Sequence, residues 1–231
     1  DMRLLAAIKN DIRFQIRYGF YFLYAFLTLL YSLVLIFVPE KYREIVSFIV
    51  IASDPAMVGF FFIGAIWLLE KSEGVQKFFV ISPLKSLEYI ISKAVSLAVI
   101  STISALVLLI VAGKDPVSYL LIVPGIFAGS GIFTIIGLLA STYAKTVNQY
   151  LIISVPAEMF ITLPIALYAF KLKIPGLEIF PGTLLWKLIS ERISAETPLV
   201  LLGIIAWILV AVGIAIIRIP RALSEEGGVN I

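Results

Sequence analysis

The sequence predicts an all-α integral membrane protein with six transmembrane helices, and three observations point there. Of 231 residues, 61% are hydrophobic and only 14% charged, against roughly 45–50% and 25% in soluble domains. Spread through a soluble fold, that excess would leave apolar surface with nothing to cover it. Six stretches are each long and apolar enough to cross a hydrocarbon core of about 30 Å as a helix, which takes roughly 20 residues. None reads as the short alternating segments of a membrane barrel. Soluble and nucleic-acid-binding classes fall at this step.

Residues 1–18 form the first element. Leu4, Leu5, Ile8, Ile12 and Ile16 fall on one helical face, with Arg3, Asn10, Arg13 and Arg17 on the other. A basic amphipathic helix feeding a span lies in the membrane interface, apolar face down and cations toward lipid phosphates. Asp1 ahead of Met2 reads as a residue placed before a native start. The apolar run that begins near Gly19 is too long for a cleavable signal core.

The six spans are read at residues 19–38, 45–69, 90–112, 117–143, 150–170 and 199–217. The first carries no charge, the second is interrupted by Asp54-Pro55, the third carries Lys93 near its start and the fifth holds Glu158. Backbone amides in lipid must be satisfied within the segment, so all six are helices. Cationic residues bias toward one side when the N-terminus is cytoplasmic. Arg3, Lys9, Arg13, Arg17, Lys71, Lys77, Lys85, Lys93, Lys145, Arg218 and Arg221 then lie inside. The expected topology is N-in, C-in, in the cell membrane.

Short loops are expected at residues 39–44 and 113–116, and two connections are longer. In the cytoplasmic one, residues 70–88, Ser72 can cap a short helix over residues 75–81 that bears Phe78 and Phe79. Ser82-Pro83 stops it and Ser86 and Glu88 start the next helix. The outer connection, residues 171–198, contains Pro175-Gly176 and Pro181-Gly182, then a short helix at 184–193; its mixture of apolar and turn residues predicts packed or re-entrant helices. The whole chain, residues 1–231, reads as one membrane domain.

The cytoplasmic loop carries a resemblance. Glu70-Lys71-Ser72-Glu73-Gly74, then Ile81-Ser82-Pro83-Leu84, then Glu88-Tyr89-Ile90-Ile91-Ser92-Lys93 resembles the signature of the type-2 ATP-binding-cassette export permeases. The elbow helix, six spans and large outer connection agree with that family's layout. The resemblance implies a permease subunit of an ATP-driven exporter and one half of a homo- or heterodimer. Each half would pair with a separate cytoplasmic ATPase subunit that binds ATP and Mg. It implies that the loop docks on that ATPase, with Glu70, Glu73, Gly74, Phe78, Phe79, Ser82 and Pro83 as coupling residues. A hydrophobic or amphipathic substrate would move by alternating access at the dimer interface. No G-x-x-x-x-G-K-[ST] run occurs, so no cofactor is expected in this chain and it is not expected to be an enzyme.

Charged groups in a membrane core cost at least a few kcal/mol and mark a cavity or a partner. Glu158, between Pro156 and Pro164, is the candidate for the translocation path, with Asn148, Gln149 and Asp54 beside it; the bland alternative is that Glu158 only positions helices, and Asp54 leans toward capping a helical break. Gly125, Gly129 and Gly131 read as close-packing positions. With no histidine in the chain, histidine-dependent intramembrane proteases are excluded. The competing class is a secondary transporter or channel working through membrane carboxylates.

Overall fold

The computed structural model describes residues 2–53, 55–76, 84–113, 119–172, 174–190 and 195–227. Helix is the only regular structure among them. The elbow helix is α1 (Met2–Arg17) and span one is α2 (Phe20–Phe37). Between them Gly19 takes φ 77, a left-handed turn that side chains resist, so glycine makes the bend. Span two is two helices, α3 (Glu40–Ser53) and α4 (Val58–Ser72), joined through a 3-10 turn at Pro55–Met57. The break falls where the sequence puts it; Asp54 itself lies outside the described residues.

Span three is α5 (Ser86–Val111), span four α6 (Tyr119–Ser141) and span five α7 (Val147–Ala169). A short outer helix α8 (Pro181–Ser190) precedes span six, α9 (Thr197–Gly227). All six apolar helices are long enough to cross a membrane. An even number of crossings brings both chain ends to one face, here called the elbow face; α8 belongs to the far face.

Several expected boundaries move for local reasons. The loop between spans one and two shrinks to Val38 and Pro39, because Glu40 supplies the acidic residue favoured in a first turn and α3 begins there. Ser72 does not cap a following helix: its hydroxyl donates back to the Leu69 carbonyl at 2.8 Å, closing the last turn of α4. The outer helix starts at Pro181, three residues earlier than read, since proline suits a first helical position.

Spans two, three and four form the core. Each has 56% of its most apolar stretch buried, against 22–28% for spans one, five and six. Small residues permit this packing. A Cβ on Gly137 of α6 would sit 2.6 Å from the Phe60 carbonyl of α4. Gly125 and Gly129 admit Leu188 and Leu185 of α8 in the same way, whereas Gly131 faces open space. Two of the three glycines singled out in span four are therefore contact positions.

The outer helix is itself nearly engulfed. Thr183, Leu185 and Ile189 are essentially inaccessible, and α8 packs on spans four, five and six and on the first half of span two. A polar loop could not be buried this way; its residues Leu184, Leu185, Trp186, Leu188 and Ile189 supply the apolar surface that makes it a wedge.

Candidate functional site: the elbow-face charge cluster and the outer helix

The apolar face expected of the elbow helix is only part of its story. Residues three and four apart share a helical face, and the face α1 turns to the protein runs through Leu4, Ile8, Asp11 and Gln15, with Asp11 and Gln15 buried. Leu5 and Ile16 instead remain exposed, on the side left for lipid, and Arg3, Lys9, Asn10, Arg13 and Arg17 are exposed as well. The helix therefore has three faces rather than two.

Two polar residues face the protein because span three meets them with polar partners. Lys93, 1% exposed, donates to Asp11 Oδ1 at 2.6 Å and also to Glu70 Oε1. Tyr89, one turn earlier on α5, donates its hydroxyl to Glu70 Oε2 at 2.9 Å. Gln15 donates to Ser96 Oγ at 2.8 Å, one turn beyond Lys93. The Lys93 ammonium also stands 5.2 Å from the Tyr89 ring centroid and 6.0 Å from that of Phe14. A lysine at the base of a membrane span is tolerable only with such compensation.

The cluster thus joins three pieces of chain: the elbow helix, the last turn of span two and the first turns of span three. The latter two bracket the 70–88 connection. Two further bonds hold the start of that connection. Tyr18, at the elbow bend, donates to Glu73, and Gln76, 1% exposed, donates to the Trp67 carbonyl at 2.9 Å. Gly74 takes φ 71, turning the chain out of α4. On its far side, Glu88 accepts from the Lys85 backbone N–H at 2.7 Å and begins α5.

Of the coupling residues read from the sequence, Glu70 points inward to Lys93 and is 3% exposed, so it anchors the loop rather than offering a docking surface. Glu73 and Gly74 lie at the turn, Glu73 exposed. Phe78, Phe79, Ser82 and Pro83 lie outside the described residues, as does most of the short helix expected at 75–81, of which Val75 and Gln76 are helical. Asp11, Gln15, Tyr18 and Tyr89 were not singled out as site residues. The signal that could have found Asp11 and Gln15 was their i, i+4 spacing in register with Leu4 and Ile8, opposite a lysine in need of a carboxylate.

The candidate path residues are not brought together. Asn148 and Gln149 are exposed at the elbow-face start of span five. Gln149 is used by the helix itself: its backbone N–H donates to Thr146 Oγ1 at 3.3 Å and its side chain accepts from the Lys145 N–H at 2.9 Å, a reciprocal N-terminal cap. Glu158 sits ten residues beyond Asn148, about 15 Å along the helix. It is half-buried, and its carboxylate meets no partner among the described residues.

On the far face, Lys187 of α8 is 6% exposed and donates to Glu178 at 2.6 Å and Glu196 at 3.5 Å, both carboxylates being mostly exposed. Burial lowers the lysine's proton affinity, but the Glu178 hydrogen bond and the electrostatic pull of Tyr168, Glu178 and Glu196 outweigh it, so Lys187 titrates above its ordinary 10.5. The three residues bring together the approach to α8, α8 itself and the approach to span six.

Comparison with known proteins agrees with this architecture. A family model described as the fluoroquinolones export permease protein family matches residues 2–189, from the elbow helix into α8. Two proteins of Mycobacterium tuberculosis, from strains CDC 1551 and H37Rv and each named a fluoroquinolones export permease protein, are similar. Each is 28% identical over 202 residues, covering 87% of this chain and 80% of the relative.

Proposed function

Because the chain belongs to the fluoroquinolones export permease protein family, and so is a multi-pass membrane permease subunit of an exporter, we propose that it works as one half of an ATP-driven type-2 transporter. A separate ATPase subunit, binding ATP and Mg, docks on the 70–88 connection from the cytoplasm. A second permease chain completes the path, which opens alternately to either side. The observation that carries this reading is the Asp11–Lys93–Glu70 cluster. It makes the elbow helix and both stems of the connection one mechanical unit, so a push on the connection is delivered to the elbow and to spans two and three together. Nothing in the cluster resembles a chemical active site: its groups are paired with one another and shielded from solvent.

The relatives' names set the first cargo to test, a fluoroquinolone. The experiment is ATP-dependent uptake of a fluorescent fluoroquinolone into inside-out vesicles holding the permease with its ATPase. Uptake that requires both proteins and ATP supports the reading. Uptake by the permease alone, driven by a pH gradient, overturns it. That second outcome has a specific observation in its favour, since Glu158, whose carboxylate meets no partner among the described residues, is the kind of group a proton-coupled carrier uses.

A further inference from the structure

Tyr150 fastens the elbow-face end of span five to span two. It lies in the first turn of α7, 3% exposed and packed with Ala140, Ala144 and Leu68. Its hydroxyl donates to the Phe60 carbonyl of α4, and the Gly64 N–H donates to the same hydroxyl oxygen. Phe60 and Gly64 are four residues apart, so this carbonyl and this N–H are a pair that an α-helix closes by itself. The hydroxyl has therefore entered the backbone ladder of span two. Glycine admits it, since a Cβ on Gly64 would stand 2.1 Å from a carbon of the Tyr150 ring. The far end of span five is fastened separately: a Cβ on Gly182 of α8 would stand 2.2 Å from the Ile161 carbonyl. Pro156 lies between the two attachments, and its missing N–H removes the helical bond to the Ile152 carbonyl. A helix bends at such a point, so the elbow-face half of span five can swing about it.

We propose that Tyr150 is a positioning residue for transport, a latch that leaves and re-enters the ladder of span two as the elbow-face half of span five swings. When the hydroxyl withdraws, the Phe60 carbonyl and the Gly64 N–H satisfy each other. The hydroxyl, within a turn of the exposed Asn148 and Gln149, then reaches water. Both arrangements leave these backbone groups bonded, as a membrane core demands. The two states therefore lie close in energy, and a modest bias moves the protein between them. The proposal rests on the alternating-access reading for its use in the transport cycle.

The test is the rate at which a water-soluble maleimide labels a single cysteine, Ala144→Cys, in the purified permease. Ala144 is 2% exposed and packed with Tyr150, and the chain has no cysteine of its own. Tyr150→Phe keeps the ring and removes the hydroxyl; it is expected to speed labelling about fivefold, the equivalent of one hydrogen bond's net contribution. Gly64→Ala forces the ring out and is expected to speed it at least as much, with no further gain when the two are combined. Ala105→Cys, at an inaccessible core position, should stay unreactive in both variants, which separates release of the latch from loss of the fold. An unchanged rate at position 144 in either variant, even with a lower melting temperature, would make Tyr150 a static prop and overturn the proposal. Equal gains at positions 144 and 105 would overturn it too. In the assembly with the ATPase, adding ATP and vanadate should change the rate at position 144 with Tyr150 and Gly64 intact; a rate indifferent to nucleotide while ATP-dependent uptake proceeds also overturns it. Failure of ATP-dependent uptake with the labelling pattern intact counts against the exporter mechanism alone. ATP-dependent uptake with labelling unaltered by either variant counts against the latch alone.

Discussion

Replacing Lys93 by methionine removes the cation from a cluster in which the lysine, Asp11 and Glu70 side chains are 1%, 10% and 4% exposed. At the 2.6 Å separation from Asp11, one ion pair is worth about 6 kcal/mol of gross attraction at an effective dielectric constant of about 20. Desolvation of each ion costs several kcal/mol, so the net contribution of the intact cluster is small. Removing the cation alone is a different matter: two carboxylates remain buried, without compensation and close to each other. Breaking a buried pair in this way costs about 3–5 kcal/mol. For a chain of this length each kcal/mol shifts the melting temperature by roughly 2–4 °C, so Lys93→Met is expected to melt roughly 10 °C lower. The triple variant Asp11→Asn/Glu70→Gln/Lys93→Met, which leaves no buried charge, is expected to recover most of that loss. Melting followed by size-exclusion chromatography of the heated detergent-solubilised protein gives both values. A single variant within about 2 °C of the wild type, or a triple variant as unstable as the single one, would refute the account of the cluster. If the triple variant is stable yet no longer couples ATP hydrolysis to uptake, the cluster transmits movement as well as holding the fold.

Three further outcomes are expected. Gly137→Ala brings a methyl within 2.6 Å of the Phe60 carbonyl and should destabilise by about 1–3 kcal/mol, whereas Gly131→Ala, in open space, should be neutral or slightly stabilising; equal melting temperatures would contradict the span two–span four packing. Lys187 binds its proton more tightly in the folded protein than its ordinary 10.5, so its contribution is full below that pH and is lost as pH rises through the higher folded value. The melting difference between wild type and Lys187→Met should therefore stay constant from neutral pH to about 10 and narrow only above it; narrowing near neutrality would contradict the clamp. Glu158→Gln should reduce export of cationic drugs more than neutral ones in the vesicle assay, and equal effects would assign Glu158 a positioning role.

The spans were legible because a membrane helix writes its length and apolar character into one continuous stretch. The elbow helix was legible for a similar reason, but its rotation was not. Leu4, Leu5, Ile8, Ile12 and Ile16 make a plausible apolar face, and that periodicity treats Asp11 and Gln15 as solvent residues. What turns the helix is a lysine more than eighty residues away in the chain, and no local pattern carries such a partner. Lys93 itself carried the clue. A cation inside a span demands a buried anion, and Glu70 and Asp11 stood within reach of the same membrane face. Glu70 is the converse case: the signature marks it as a coupling residue without saying which way it points, and the structure turns it inward to that lysine.

Glu158 extends the same argument beyond one chain. Lys93 shows what this fold does with an intramembrane charge when the partner lies in the same chain: it encloses the charge and satisfies it from several sides. Among the described residues Glu158 receives none of this, although it lies in a span only 28% buried and so within reach of whatever lies beside the chain. A carboxylate left so in hydrocarbon costs a few kcal/mol. Among the described residues the other buried charges, Asp11, Glu70, Lys93 and Lys187, are compensated, so that cost makes sense where the compensation arrives from outside, from cargo or from a second permease chain. A disulfide scan settles which. Cysteines placed at exposed span-five positions such as Leu151, Val155 and Met159, in a chain that has none of its own, should cross-link between copies if spans five meet. If no cross-link forms, Glu158 is left to the cargo.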